Sequence, residues 1–297
     1  MNIKLAGLFF LLSLICHVVM ADSVKSRVLP EKYTRGIIWK IDGANIEPSY
    51  LMGTMHVDDP GISLLFTHAQ KYFDDARMVC TEIKMDFAAI AAEIQAMFFS
   101  DGQTLKSVIA DQRFYQQVIQ AAEKHGLPEA AVRNMKPFTL AFMLSMPVST
   151  GEMLDSKIYT NAMRQGKQVC GLETIAEHRA VFEVFDMPAQ LKILKKTVAR
   201  VDEVKRLYPA LLEAYLNRDL QAIADLADES MSMDDPEIED LFYQRFLIDR
   251  NIKMVQRMLP LMDKGPAFFA VGAMHLTGKA GVLRLLEEQG YTVSVVY

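Results

Sequence analysis

Two short segments of the chain each place a histidine three residues after a glycine. Gly53 precedes His56, and Gly272 precedes His275. Each glycine marks the end of an apolar, strand-like run, where it allows a sharp turn or a close approach of the backbone. The histidine that follows is then expected on the rim of a sheet. One such pair could arise by chance among six histidines, but two at the ends of predicted strands indicate one functional site.

Two glutamates occupy comparable positions. Glu82 ends the apolar run 78–81, and Glu173 follows the run 168–172. Ligands of open α/β sheets bind outside the carboxyl ends of the strands, so both glutamates are expected to face the same crevice as the two histidines. The alternative is that each histidine is an ordinary loop or cap residue. Each glutamate would then favour the start of the following helix through the helix dipole.

The chemistry that suits these residue types is metal-dependent hydrolysis. Imidazole and carboxylate ligands together favour zinc, manganese, iron or cobalt. A carboxylate left free of the metal could act as general base towards water. The sequence contains no His-Glu-x-x-His helix, no Gly-x-Ser-x-Gly elbow, no glycine-rich phosphate loop and no Cys-x-x-Cys pair. Arg250 and Asn251 lie in a long helical pattern, and their spacing alone predicts a solvated face.

The elements that must position these residues alternate between strands and helices. The predicted strands are 37–41, 50–55, 77–83, 167–171, 267–271 and 291–296, and the predicted helices between them include 62–75, 155–165, 174–185 and 278–288. This alternation predicts an α/β (α+β) fold, in which a central mixed sheet is covered by helices. Two runs, 87–148 and 188–258, are too helical to be simple crossovers. They predict large helical insertions that cap one edge of the sheet within a single domain, 22–297.

Residues 1–21 are predicted to be a signal peptide. Lys4 is followed by a nearly continuous apolar run, 5–20, and the small side chains of Val19 and Ala21 predict cleavage before Asp22. An uncleaved N-terminal anchor is the alternative, but the run is short for a membrane span. Lipidation at Cys16 is disfavoured because no small residue directly precedes it. The protein is therefore expected to be exported, to the periplasm or outside the cell.

The charge and cysteine content narrow the possible partners. Loss of residues 1–21 removes one lysine and leaves 31 basic against 37 acidic residues, a net charge of −6. A mildly acidic chain without a basic run is a poor candidate for binding nucleic acid or anionic lipid.

Two cysteines, Cys80 and Cys170, remain after removal of the predicted signal peptide. Export permits a disulfide between them, but both lie in apolar strand-like runs, where free cysteines packing as small hydrophobic residues are favoured.

A series of short motifs also runs through the chain in a fixed order. These are Tyr50-Leu51-Met52-Gly53-Thr54-Met55-His56, Glu82, Leu154-Asp155, Gly166-Lys167-Gln168-Val169-Cys170-Gly171-Leu172-Glu173-Thr174-Ile175, Arg250-Asn251, Val271-Gly272-Ala273-Met274-His275-Leu276, Gly281-Val282 and Gly290-Tyr291-Thr292-Val293. The ordered set resembles the TraB/GumN family, which also contains the Tiki metalloproteases that trim Wnt proteins. The resemblance covers essentially all of the chain after the predicted signal peptide.

This resemblance implies a sheet core with a helical insertion, related to erythromycin-esterase-like and haem-binding ChaN-like proteins. For the Tiki branch it implies a protease that depends on a divalent metal such as manganese, cobalt or zinc. Carried over to this chain, it implies His56, Glu82 and His275 as the metal or catalytic set, and Glu173, Arg250 and Asn251 as supporting residues. For hydrolysis, Glu82 and Glu173 are the candidate catalytic carboxylates that accept a proton from water. Gly53, Gly272 and Asp155 complete the predicted site as supporting residues.

Three hypotheses for function follow. The first is an exported divalent-metal-dependent hydrolase, a peptidase with a peptide or protein substrate. The second is a protein that binds haem or a metal through the same histidines without turnover. The 19 methionines offer sulfur ligands for that role, although methionine more often fills cores. The third, a helical interaction module formed by 188–258, leaves the two Gly-x-x-His motifs unexplained.

Overall fold

Six strands and thirteen α-helices are present in the residues that the computed structural model describes, 32–147 and 151–297. The strands are β1 Ile38–Asp42, β2 Ser49–Thr54, β3 Met78–Ile83, β4 Gln168–Glu173, β5 Ala267–Gly272 and β6 Thr292–Val295. The helices are α1 Pro60–Asp75, α2 Phe87–Ala96, α3 Leu105–Val108, α4 Gln112–Lys124, α5 Glu129–Val132, α6 Pro137–Leu144, α7 Leu154–Arg164, α8 Ile175–Phe182, α9 Met187–Leu216, α10 Leu220–Met231, α11 Pro236–Tyr243, α12 Asp249–Met262 and α13 Val282–Glu288. The predicted signal peptide, 1–21, lies outside the described residues.

The strands form one mixed sheet in the order β4-β3-β5-β2-β1-β6. The four strands β4, β3, β5 and β2 run parallel to one another. β1 pairs antiparallel with both β2 and β6, so β1 and β2 form a hairpin. The predicted mixed sheet covered by helices is therefore confirmed. Because β2 to β5 are all parallel, their carboxyl ends lie at one edge of the sheet, which we call the carboxyl edge.

The central strand explains the apolar character of its sequence. All six residues of β5 are buried, as expected for a strand with neighbours on both sides and helices on both faces. On one face, Phe268 meets the rings of Phe66 and Phe73 from α1 edge-on, with ring centroids 6.5 and 5.6 Å apart. Such edge-to-face contacts are a favoured arrangement of buried aromatic rings. They fix α1 against the middle of the sheet.

The helices pack into two hydrophobic cores. The sheet core contains the strands and the apolar faces of α1, α7, α12 and α13. The helical core is built from α3 to α6, α8 and α9, and its centre is a cluster of phenylalanine rings that includes Phe138, Phe182 and Phe246. Two prolines divide the helical run after 87, since Pro128 immediately precedes α5 and Pro137 begins α6. No helix in the described ranges is long and apolar enough to cross a membrane.

Cys80 and Cys170 form a disulfide, so the favoured expectation of two free cysteines was wrong. The two residues lie directly opposite each other in the neighbouring strands β3 and β4, and their Cα atoms are 4.5 Å apart. Sequence alone did not reveal this pairing because the segments are 90 residues apart and strand order is a tertiary property. The disulfide is consistent with an oxidising compartment.

Removal of this disulfide is expected to lower stability. A crosslink that closes a long loop restricts the unfolded chain, so the double variant C80A/C170A is expected to lose about 2–4 kcal/mol of unfolding free energy. Urea unfolding followed by circular dichroism measures this loss. The matched control is a reductant, which should lower the wild-type midpoint and leave that of the double variant unchanged. Equal midpoints for oxidised wild type and double variant would contradict the expectation.

Glu177 joins α8 to α12. Its carboxylate accepts hydrogen bonds from the backbone N–H and the hydroxyl of Thr174, at 2.9 and 2.8 Å, in a capping box at the start of α8. It also accepts two hydrogen bonds from the guanidinium of Arg257, each 2.8 Å long. These bonds, with that from Arg257 foremost, lower the pKa of Glu177 to about 2. The carboxylate thus stabilises the fold in its ionised form.

This lowered pKa predicts a pH dependence of stability. The folded pKa lies below the unfolded value of 4.5, so the stabilisation is present above about pH 4.5 and is lost as the pH falls towards 2. The variant Glu177→Gln should cost on the order of 2 kcal/mol at neutral pH through loss of charge-assisted hydrogen bonds. Its difference from wild type should shrink below pH 4.5 in urea titrations. A difference that is constant from pH 7 to pH 3 would be inconsistent with this role.

Candidate functional site

The two Gly-x-x-His motifs lie side by side at the carboxyl edge. β2 and β5 are paired in parallel, with Thr54 opposite Gly272. A Cβ atom added to Gly272 would lie 3.2 Å from Glu82 Oε1, 3.6 Å from His56 Nε2 and 3.6 Å from His275 Cδ2. Two imidazoles and one carboxylate therefore surround a single point beside Gly272, which we call the shared point.

Gly53 allows the two motifs to come this close. A Cβ atom at Gly53 would lie 2.6 Å from the side chain of Leu276 and 3.2 Å from Cα of Ala273. Those residues belong to the short 3₁₀ helix, Ala273–Leu276, that carries His275. Any larger residue would require the Leu276 side chain to move and the backbone at Ala273 to shift by a few tenths of an ångström. The first glycine thus positions the second histidine.

His56 is held by a buried carboxylate. Its Nδ1 donates to Asp155 Oδ2 at 2.8 Å, and Asp155 Oδ1 accepts a 2.5 Å hydrogen bond from the hydroxyl of Thr54. Asp155 lies in the first turn of α7 and its side chain is 6% exposed, whereas that of His56 is 44% exposed. The negative charge of Asp155 raises the pKa of His56 to about 9. The ring is therefore cationic at neutral pH, with Nε2 directed towards the shared point.

His275 is in the opposite electrostatic state. Its Nδ1 donates to Asn251 Oδ1 at 2.6 Å, and Asn251 Nδ2 donates to the carbonyl of Ala280 at 2.8 Å, which fixes the orientation of the amide. Burial lowers the pKa of His275 to about 3, so the ring is neutral. Because Nδ1 carries its proton, Nε2 presents a lone pair, and it lies 3.7 Å from Glu82 Oε1.

Arg250 lies between the two glutamates. Its Nε donates to both oxygens of Glu173, at 3.0 and 2.9 Å, and its Nη2 donates to Glu173 Oε2 and to Glu82 Oε2, at 2.6 Å each. Planar guanidinium groups suit such paired contacts with carboxylates. The side chains of Arg250, Glu82 and Glu173 are 10%, 12% and 1% exposed. The three charges therefore form one buried cluster.

Glu82 is ionised despite its burial. Burial has the largest single effect and raises the pKa of this carboxyl, but the Arg250 guanidinium, the two nearby histidines and a 2.7 Å hydrogen bond from the N–H of Gly272 to Oε1 together outweigh it. The net result is a pKa well below the usual range. Glu82 Oε1 faces the shared point, whereas both oxygens of Glu173 are engaged by Arg250. The helix after Glu173 is capped by Thr174 and Glu177, so Glu173 has no capping role there.

The solvated face expected for Arg250 and Asn251 was wrong, since both residues are buried. The segment between α11 and α12, Gln244–Ile248, is a π-helical turn, in which the N–H of Asp249 bonds to the carbonyl of Gln244 five residues earlier. Arg250 Nη1 also donates to the carbonyl of Phe246 at 3.3 Å. Regular helical spacing could not reveal this burial, because the π turn shifts the faces of the helix.

Two residues of the site were not predicted from the sequence. Thr54 donates to Asp155, as described above, and Tyr215 of α9 donates from its hydroxyl to the carbonyl of Gly53 at 2.8 Å. Tyr215 is 1% exposed and follows Leu211 at helical spacing, so its position in the sequence is typical of a core residue. The sequence feature that could have indicated its role is the hydroxyl group, because a buried tyrosine hydroxyl requires a hydrogen-bond partner.

The donor types at the shared point suit a divalent transition metal. The two Nδ1 atoms are bound by an acid and an amide, an orientation that is typical of metal-ligating histidines. Within residues 32–147 and 151–297, however, no three His, Cys, Asp or Glu side chains are grouped closely enough to hold a metal ion directly. Both oxygens of Glu82 are instead occupied by Gly272 and Arg250.

Charge balance favours a cation at this place. The site holds three carboxylates, those of Glu82, Glu173 and Asp155, against the single guanidinium of Arg250. A buried cluster with excess negative charge is stabilised by bound positive charge. The proton on His56 supplies one charge. A divalent ion in place of that proton would bring the formal charge of the cluster to zero, so the residues fit a divalent metal in ligand type and in charge, but not in the spacing that the described residues have here.

A cavity of about 390 Å³ opens beside the shared point. Both histidines and Gly272 lie in its wall, next to residues of α9 and α10. His56 is the most exposed of the charged groups of the site. A small molecule in the cavity would therefore lie next to both histidines.

Arg250→Met tests the buried charge cluster. Removal of the guanidinium leaves two buried carboxylates without their partner, so we expect a loss of about 3–5 kcal/mol in unfolding free energy. The matched control is Lys253→Met on the same helix, whose side chain is 49% exposed and which should cost less than about 1 kcal/mol. Urea unfolding of both variants measures the difference, and equal losses would contradict the assigned role of Arg250.

Comparison with known proteins places the chain in one family. The model of the TraB/PrgY/gumN family matches residues 37–295, which include all six strands and every residue of the site described above. No curated protein and no solved structure matches the chain.

Proposed function

The chain belongs to the TraB/PrgY/gumN family, and from this premise we propose that it is an exported, divalent-metal-dependent hydrolase that acts on peptides. The observation that carries the proposal is the convergence of His56 Nε2, the His275 ring and Glu82 Oε1 on one point beside Gly272. Two imidazoles and a carboxylate are a donor set that suits manganese, cobalt or zinc. The adjoining cavity gives a substrate access to them.

In this proposal His56, His275 and Glu82 would hold the metal. A divalent metal bound there supplies a Lewis acid, which polarises a carbonyl and makes water more acidic. His275 is already neutral and buried, so its lone pair is available without loss of a proton. His56 would have to give up the proton that Asp155 stabilises. Metal binding and protonation of His56 therefore compete.

The surrounding residues keep these groups in place. Asp155 and Asn251 hold the two imidazoles through Nδ1. Of the two glutamates predicted to accept a proton, Glu82 is the one that faces the shared point, although its low pKa makes it a weak base. Glu173 contacts Arg250 through both oxygens, so we assign to it the role of a positioning residue that acts through Arg250.

A second candidate function is binding without turnover. His56 is 44% exposed and lies in the wall of the cavity, which would allow it to serve as an axial ligand to haem or as a ligand to a stored metal ion. A Soret band that appears on titration with haem, and is lost in His56→Ala, would favour this function. An absence of saturable haem binding would remove it.

Loss of either histidine is expected to abolish hydrolysis. His56→Ala and His275→Ala should each lower peptide cleavage at least about 100-fold, since each removes a group that acts at the reacting centre. The assay uses protein stripped with chelator and reloaded with manganese, cobalt or zinc, together with a peptide library and elemental analysis of bound metal. His68→Ala is the control, because His68 is exposed and stacks on Tyr297. Activity that survives in both site variants, or in chelated protein, would refute the proposal.

A further inference from the structure

The cavity beside the shared point has an apolar wall. The part formed by α9 and α10 includes Leu207, Leu211, Ile223, Leu226 and Ala227, and Met274 completes it next to His275. Among the described residues that line the cavity, none is Lys, Arg, Asp or Glu. A cavity of about 390 Å³ is within the size range of small-ligand sites, which are mostly apolar with a few polar groups that set orientation.

Four of the five hydroxyl-bearing side chains in this wall donate within the protein, and the fifth is that of Tyr208. Thr54 and Tyr215 donate to Asp155 and to the carbonyl of Gly53. Ser145 and Ser230 each donate to a carbonyl in the preceding helical turn, both at 2.9 Å. Each of the four hydroxyls thus donates its proton within the protein. Apart from the two Gly-x-x-His histidines, the remaining polar side chains in the wall are Tyr208 and His125, so most of the wall is apolar.

The cavity and the shared point have three residues in common. His56, Gly272 and His275 all line the cavity, and they also surround the shared point. An occupant would therefore be apolar over most of its surface and polar where it meets the histidines. An exposed apolar cavity of this kind is stabilised by an apolar ligand, which removes its surface from water.

We propose that this cavity binds a large, uncharged apolar group of the substrate and presents the adjoining carbonyl to the two histidines. The group is either an aliphatic or aromatic side chain next to a peptide bond or the acyl chain of an ester or amide, because both have this chemistry. The position of the carbonyl rests on the proposed function. Occupation of the cavity by an apolar group is independent of catalysis and is tested separately.

Binding is tested with N-phenyl-1-naphthylamine, an uncharged fluorescent probe, on the full chain. Wild type should bind it saturably. Ala227→Phe places a phenyl group in the wall of the cavity and should weaken binding about ten-fold or more, since the added volume leaves less room for the probe. Ala222→Phe makes the same change on the same helix at a residue that does not line the cavity, and should change binding less than about two-fold. Circular dichroism confirms that both variants are folded.

The outcomes separate this inference from the proposed function. Saturable binding that Ala227→Phe weakens and that Ala222→Phe retains supports the cavity as an apolar site, even if no hydrolysis is found. An absence of saturable binding to wild type, or an equal loss in Ala227→Phe and Ala222→Phe, would overturn it.

If hydrolysis is found, two substrate series identify the source of the apolar group. The first is para-nitrophenyl esters from acetate to decanoate, and the second is peptides with Leu or Ala beside the cleaved bond. A rise of kcat/KM with apolar size in either series, lost in Ala227→Phe and kept in Ala222→Phe, is expected. The inference would be contradicted if kcat/KM did not depend on apolar size in the ester series and did not depend on it in the peptide series either.

Discussion

A guanidinium group at the carboxyl edge of the sheet is buried, and this requires carboxylates to balance its charge. Arg250 meets the requirement with Glu82 and Glu173, which end the neighbouring strands β3 and β4. The arrangement is possible only if the two strands are adjacent and in register, and if α12 lies across their ends. A buried charge that loses its partner is strongly destabilising. The ion cluster therefore constrains strand order, helix placement and the orientation of Glu82 together.

The hydrogen-bond partners of the two histidines explain why two similar motifs hold them in opposite charge states. Each histidine follows a glycine at a strand end, yet the partner of His56 is a carboxylate and the partner of His275 is an amide. A carboxylate stabilises an imidazolium, while an amide in a buried setting leaves the ring neutral. The site thus combines one cationic and one neutral imidazole around one ionised carboxylate. The difference comes from α7 and α12, which supply the partners.

Much of this architecture follows from local patterns in the sequence. Apolar runs that end in Gly53 and Gly272 predict strand ends, and parallel strands bring their carboxyl ends to one edge. The burial of Arg250, the hydrogen bond from Tyr215 to Gly53 and the disulfide did not follow from such patterns. Each depends on which elements become neighbours across many tens of residues, and no periodicity within one element carries that information. Arg250 shows this most clearly, because the helical rule that predicts its exposure fails at the π turn just before it.

That π turn joins two helices that serve different cores. Before it, α11 packs into the helical core through Ile238, Leu241 and Phe242. After it, α12 packs against the sheet core through Met254, Val255 and Met258. An α-helix turns by about 100° per residue, so one additional residue in a turn rotates everything that follows by that angle. The Gln244–Ile248 segment therefore sets the rotation of α12 about its axis relative to α11. Deletion of a single residue within it would rotate Arg250 and Asn251 away from their partners without altering either residue.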